Sequence, residues 1–404
     1  TDTYFAQWVD SDLGGHVDDY VGCDVQRGLG YSYNGDAFDE QTSFSDGYGY
    51  HPPAMGVDFF EGPYQDADGL DNPLTSVFTD AVDSLGIPYE GIGIGYGDGV
   101  VDNERYGMRK FLYYNWNYGD NGQPTQALHY YNYMKGFWKN GQRMAYGGDG
   151  ISPATGANLE IPADYMFPGD TDPYTWGTQG IATEPWAEVT VPPNGNPPGD
   201  RLFLQSAGPF TLEPGDYNNI TVGMVYARAT AGEPFESVIK LRQADDKAQS
   251  LFDNCFEIVS GPDAPDVVIQ ELENELILFL TNDNPLSNNF QEDFMAIDPS
   301  IPKENDDGTL LTDEERSYVF EGYQIYQLVD ESISPTELND IEKARLIFQC
   351  DLANDVELAY NYTYDEIMEA SVVELKADGA NEGVQHSFRI TNDAFAQGDS
   401  RLVN

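Results

Sequence analysis

"RLFLQSAGPFTLEPGDYNNITVGMVYARA" (Arg201–Ala229) holds two runs rich in aliphatic, aromatic and β-branched residues, joined through the tetrapeptide Glu-Pro-Gly-Asp. Runs of that length bounded by Gly, Pro and Asn predict β-strands with a turn between them. Upstream, "DDYVGCDVQRGLGYSYNG" (Asp18–Gly35) and "MGVDFF" (Met55–Phe60) alternate apolar and polar residues between glycines and read the same way. Two stretches switch to helical spacing. "PTQALHYYNYMKGFWKNGQ" (Pro124–Gln142) opens on a helix-compatible Pro and carries Leu128, Tyr131, Met134 and Trp138 on one face. "PFESVIKLRQADDKAQSLFDNCF" (Pro234–Phe256) places Val238, Leu241, Ala244, Ala248, Leu251 and Cys255 on one stripe, which predicts burial of Cys255. Glu236 sits near its start, where the helix dipole favours an acid.

After "GPDAPD" (Gly261–Asp266) the text becomes a series of strands with internal aromatics, among them "YVFEGYQIYQLVD" and "ARLIFQCDL". That spacing predicts an antiparallel sandwich of the fibronectin/immunoglobulin type. The expected fold class is therefore mainly β with helical insertions. A β-rich domain at 1–260, with helices near 124–140 and 236–255 and long ion-braced loops, would precede a fibronectin-like sandwich at 261–404. The opening "TDTYFAQWVDSDLGG" and closing "GDSRLVN" lead us to expect cuts in a longer polypeptide, with the sandwich truncated at its C-terminus.

Charge is the unusual feature. Nineteen Lys+Arg against 70 Asp+Glu leave a formal net charge of −51, which works against compaction and excludes nucleic acid as a partner. No apolar run is long enough to cross a bilayer as a helix, so no transmembrane segment is expected. Hard divalent cations neutralise carboxylates directly, and weak Ca²⁺ modules are filled at extracellular concentrations. Adaptation to saline surroundings would leave acids scattered, whereas ion binding would gather them in Gly- and Asn-bearing loops.

Such gatherings occur. "YGDGVVDNERYGMRKF" (Tyr96–Phe111) offers Asp98, Asp102, Asn103 and Glu104 beside Gly97 and Gly99. "YQDADGLDN" offers Asp66, Asp68 and Asp71; "VDSDLGGHVDD" offers Asp10, Asp12 and Asp18; "PGDTDP" offers Asp170 and Asp172. Alternate carboxylates in a turn can converge on one ion, although Asp-Gly pairs also make ordinary turns. Arg105, Arg109 and Lys110 follow the first loop and read better as partners for neighbouring acids and caps of a helix than as a basic ligand site.

Enzyme signatures are missing. The four histidines, His16, His51, His129 and His386, form no HExxH pair, and there is no GxSxG elbow, GxxxxGK[ST] loop or GxGxxG turn. The three cysteines form no CxxC pair and predict neither zinc nor a disulfide framework. Aromatics gathered around 110–180 could stack on sugar rings, with Trp116, Tyr131, Trp138 and Trp176 as candidate glycan contacts, or could supply a core poor in Ile and Leu.

"GDGVVDNERYGMRKF", "PPGDRLFLQSAGPFTLEPGDYNNITVG", "LRQADDKAQSLFDNCF" and "YVFEGYQIYQL" resemble segments of large secreted or surface proteins of Bacteroidota exported by the type IX secretion system, mostly of unassigned function. The resemblance implies an extracellular or outer-surface location. "DSL" at Asp83–Leu85 resembles the short O-glycosylation motif of the same bacteria, with Ser84 as acceptor. Together these readings predict an extracellular, Ca²⁺-stabilised, non-enzymatic structural or adhesive protein. Its partners would be cell-surface or secretion components, glycans, or copies of itself. The alternative is a polysaccharide-binding module or glycoside-active enzyme using the Tyr/Trp-rich region at 110–180.

Overall fold

The structure is a computed structural model. It describes residues 2–402 except 44, 83–85, 87, 90–92, 193–194, 254, 257–258, 300, 302, 304–308, 335–336, 339, 355, 357, 366–369 and 380. Ser84 lies outside the described residues. The chain is mainly β and divides into two compact units, Thr1–Asp253 and Asn254–Asn404.

Seven strands make up the two larger sheets of the first unit: β1 (Thr3–Asp10), β2 (Asp19–Asp24), β3 (Leu29–Asn34), β4 (Ala54–Glu61), β5 (Lys110–Tyr114), β6 (Leu202–Phe210) and β7 (Thr221–Ala227). They form two antiparallel sheets, one ordered β7–β4–β3–β2 and the other β1–β6–β5. The two runs at 201–229 thus do not pair with each other. β6 is buried along almost its whole length and is paired on both sides, whereas β7 is an edge strand with alternating exposure. Burial on both faces suits a central strand, and alternation suits an edge.

The sheets pack face to face. Side chains on β3 alternate, so Gly30 faces the second sheet while Leu29, Tyr31 and Tyr33 face the other way. A Cβ at Gly30 would stand 2.3 Å from Gln205 Oε1 and 2.8 Å from the Phe111 ring, so the close approach of the layers requires glycine there. Gln205 Nε2 crosses the gap and donates to the Val57 carbonyl at 2.8 Å.

Helices cover the outer faces. α1 (Ala127–Met134) rests on the three-stranded sheet, where Ser206 Oγ donates to the Met134 carbonyl at 2.6 Å. It is shorter than the 124–140 expected, because Gly136 takes φ +75° and turns the chain. α2 (Phe235–Asp253) lies on the four-stranded sheet, with Val238 and Leu241 packed on Leu29, Tyr31, Tyr33, Ala54 and Val225. Its buried stripe does not run on apolar to Cys255. Asp245 takes the next buried position, and Cys255, past the helix end at φ +55°, is exposed. All three cysteines are free.

In the second unit a three-stranded antiparallel sheet joins β8 (Asp266–Leu272), β9 (Glu275–Thr281) and a late strand at Ser387–Ile390. Hairpins at Gly322–Leu328 with Ala344–Asp351, and at Leu358–Asp365 with Ala370–Asp378, supply further strands. Leu278, Leu280 and Phe388 from the sheet meet Tyr323, Phe348 and Cys350 from the first hairpin in one core, a sandwich-like arrangement. Among the described residues no helix is long and apolar enough to cross a membrane.

Candidate functional site

The loop at 97–104 is engaged by the loop at 66–72. Asp71 accepts from the Gly97 and Gly99 amides at 2.8 Å each, and Asp102 Oδ1 accepts from the Asp68 and Gly69 amides at 2.8 Å each. Buried Glu104 accepts from the Asn72 amide. Asp98 closes its own turn through the Val100 amide and the Asn103 side chain, and Asp68 does likewise with Leu70 and the Asn72 side chain. Asp66 instead reaches Thr211, accepting from its amide and hydroxyl. These acids satisfy amides that tight turns leave without backbone partners. The chain that follows is strand, not helix, and its cations are spent inside. Arg105 pairs with Glu61 at 2.9 Å, Lys110 with Asp164 at 3.0 Å, and Arg109 donates to the Pro88 carbonyl.

Asp170 is exposed, and Asp172 accepts from the Trp176 and Gly177 amides. Trp138 and Trp176 are core residues, at 0 % and 3 % exposure, so a glycan cannot reach their rings in this fold. Trp116 is half exposed, and Tyr131 is partly buried against Tyr4.

Among the described residues, two sets of three carboxylates have oxygens within 4.8 Å of one another: Asp10, Asp12 and Asp200, and Asp18, Asp36 and Glu40. The sequence reading named Asp10, Asp12 and Asp18 but placed them together. The fold separates Asp18 from the other two and supplies Asp200, Asp36 and Glu40 from elsewhere. In the first set Asp10 ends β1, and burial together with Asp12 pushes Asp10 and Asp200 above the usual carboxylate range. One oxygen of each is buried without a hydrogen bond.

The second set sits at the open end of the β2–β3 hairpin. Register pairs Asp19 with Asn34, so the two side chains stand next to each other on one face. Both are almost completely buried, and each leaves one side-chain oxygen without a donor. Neither Asp18 oxygen accepts a hydrogen bond of good geometry, although the Asn34 amide lies beside them. Burial, then Asp39, Asp36 and Glu40, pushes Asp18 up to about 6; burial, then Asp18 and Asp39, pushes Asp19 up to about 8 against the Leu13 amide hydrogen bond and the pull of Arg201. Like charges gathered out of water in this way call for protons or a cation.

A third acidic place was not anticipated. Ala54, Gly56, Asp58 and Phe60 alternate onto the α2-facing side of β4, which brings Asp58 under the C-terminal half of α2, near Asp245. Burial pushes Asp58 up to about 7; burial and the neighbouring Asp58 push Asp245 up to about 9. The signal was present in the sequence: an acid inside the apolar run "MGVDFF", and an acid four residues after Leu241 on a helix's buried stripe. Comparison with protein-family models, with curated proteins and with solved structures gives no match to this chain.

Proposed function

We propose that this chain is an extracellular structural or adhesive protein whose first unit is stabilised by Ca²⁺ at the end of the β2–β3 hairpin. The observation that carries the reading is the Asp18–Asp36–Glu40 set, flanked by the unpartnered oxygens of Asp19 and Asn34. The three convergent carboxylates match the ligand type a Ca²⁺ ion takes, and backbone carbonyls and water would complete its six to eight oxygens. The acidic loops at 66–72 and 97–104 are held by amides, so ion dependence belongs to the hairpin end rather than to them. The surface and secretion context follows from the sequence resemblance, and copies of the chain, glycans and cell-surface components are the partners it implies.

A glycan-contacting role has one specific support. Trp116 is half exposed and its side chain bonds to Asp200 of the first acidic set, and Trp8, also half exposed, lies two residues before Asp10 on the same face of β1. Exposed indoles beside an acidic set suit ion-assisted sugar stacking.

Thermal melting in chelator and in rising CaCl₂ tests the proposal. The expected result is a melting temperature that climbs with Ca²⁺ as mass action requires, and a climb that Asp18→Asn/Asp36→Asn abolishes. Equal climbs in the parent and the variant would end the assignment.

A further inference from the structure

Between the β2–β3 turn, β4 and the C-terminal half of α2 lies a cavity of about 520 Å³, within the size range of small-molecule sites. Asp58 and Asp245 are buried in it, at 1 % and 2 % exposure, and each has an oxygen with no hydrogen-bond partner. The nearby cations are already committed. Arg27 forks onto both oxygens of Asp246, at 2.8 and 2.9 Å, and also reaches Asp24 at 3.1 Å; Arg242 pairs with Asp24 at 3.0 Å. Four carboxyl groups, Asp24, Asp58, Asp245 and Asp246, thus face two guanidinium groups, and the shortfall falls on Asp58 and Asp245.

We propose that this cavity binds an organic cation, with a primary ammonium group seated between Asp58 and Asp245 and its hydrocarbon body against Phe60, Ile94 and Tyr106. Chemistry favours an ammonium over a metal ion here. Ca²⁺ takes six to eight oxygens, whereas Asp246 is taken up by Arg27, Asp24 by Arg27 and Arg242, and Gln249 donates its amide to the Phe60 carbonyl and Asp253. An ammonium has three donors and needs few acceptors, and its alkyl chain gains from an apolar wall. The site is separate from the Asp18–Asp36–Glu40 set, and the proposal does not rest on Ca²⁺ binding there.

Binding carries a proton signature. Without the cation, burial, with Asp24 and Asp246 adding negative charge that Arg27 offsets only in part, favours holding a proton on Asp58 or Asp245. A bound ammonium stabilises both carboxylates, so that proton leaves to solvent while the amine keeps its own.

The test is calorimetric titration of the 404-residue chain with 1,4-diaminobutane in 150 mM NaCl, in buffers of differing ionisation enthalpy, with CaCl₂ and 1,4-butanediol in parallel. The expected result is one saturable site, proton release, tighter binding at pH 8.5 than at pH 6, and no binding of the diol. Asp58→Asn/Asp245→Asn should weaken the diamine at least tenfold, while Asp18→Asn/Asp36→Asn leaves it unchanged. A melt shows whether each variant is folded, and Asp245→Asn alone serves if the double variant is not. Non-saturable heat, unchanged affinity in Asp245→Asn, or displacement of the diamine by equimolar Ca²⁺ would overturn the proposal.

Discussion

Two buried acids show how partners set the cost of a buried charge. Glu188 is reached from three sides: Arg201 Nε at 2.7 Å, the Asn196 side chain at 2.6 Å and the Val21 amide at 2.8 Å. Burial still pushes it up to about 7, against the pull of Arg201. Removing that guanidinium strands a buried carboxylate, so Arg201→Met should lower unfolding free energy by about 3–5 kcal/mol in urea at pH 7. Among the described residues Asp245 has no such partner. Its folded pKa lies above the unfolded one, so its ionisation works against folding increasingly as pH rises from about 4 towards 9. Asp245→Asn should therefore melt at a higher temperature than the parent. The gain should be small near pH 5 and largest near pH 9, and thermal melts across that range will show whether it is.

At the scale of elements, the close stacking of the two sheets depends on positions with no side chain. Gly30→Ala would press a methyl group into Gln205, Phe111 and Phe203, all held by buried neighbours on both sides. Overpacking of that kind costs about 1–3 kcal/mol, measurable as a lower urea midpoint with an unchanged slope. Most of the strands and both helices were legible in the sequence, because period-2 and period-3.6 patterns record which face is buried. Which strands pair was not legible, since β6 and β7 are neighbours in sequence yet belong to different sheets. The acidic sets were half legible for the same reason. Asp10, Asp12 and Asp18 share a loop-rich segment, but Asp36 and Glu40 come from beyond the hairpin and Asp200 from nearly two hundred residues away. Local clustering instead pointed to 66–72 and 97–104, where the same residue types serve turn amides. An acid in a Gly-rich loop has two physical uses, and only the positions of the surrounding amides separate them.

For the whole molecule, charge leads to an unusual pH profile. Many proteins lose stability in acid because native carboxylates are paired and must be protonated. Here eight buried or half-buried carboxyl groups of the first unit shift the other way: Asp10, Asp18, Asp19, Asp58, Asp172, Glu188, Asp200 and Asp245 are raised, with burial the largest cause in each. The lowered acids, such as Asp98, Glu315 and Asp399, lie at the surface, where solvent weakens their effect. Between about pH 4 and pH 9 the folded chain consequently holds more protons than the unfolded one, and each excess proton tilts stability downward by about 1.4 kcal/mol per pH unit. Without divalent ions, the melting temperature of the first unit should be higher at pH 5.5 than at pH 8.5. Below pH 4 both states are protonated and the advantage levels off. Calcium and protons would compete for Asp18, so added Ca²⁺ should raise the melting temperature most at pH 8.5 and flatten the slope. Monovalent salt, which screens charge over about 10 Å at 0.1 M without occupying a site, should lift the whole curve and leave its tilt. Scans at three pH values with NaCl alone and with NaCl plus CaCl₂ separate these effects. A melting temperature rising steadily from pH 5.5 to 8.5 in the absence of Ca²⁺ would mean that the buried acids have cationic partners, contrary to the geometry around Asp18, Asp58 and Asp245.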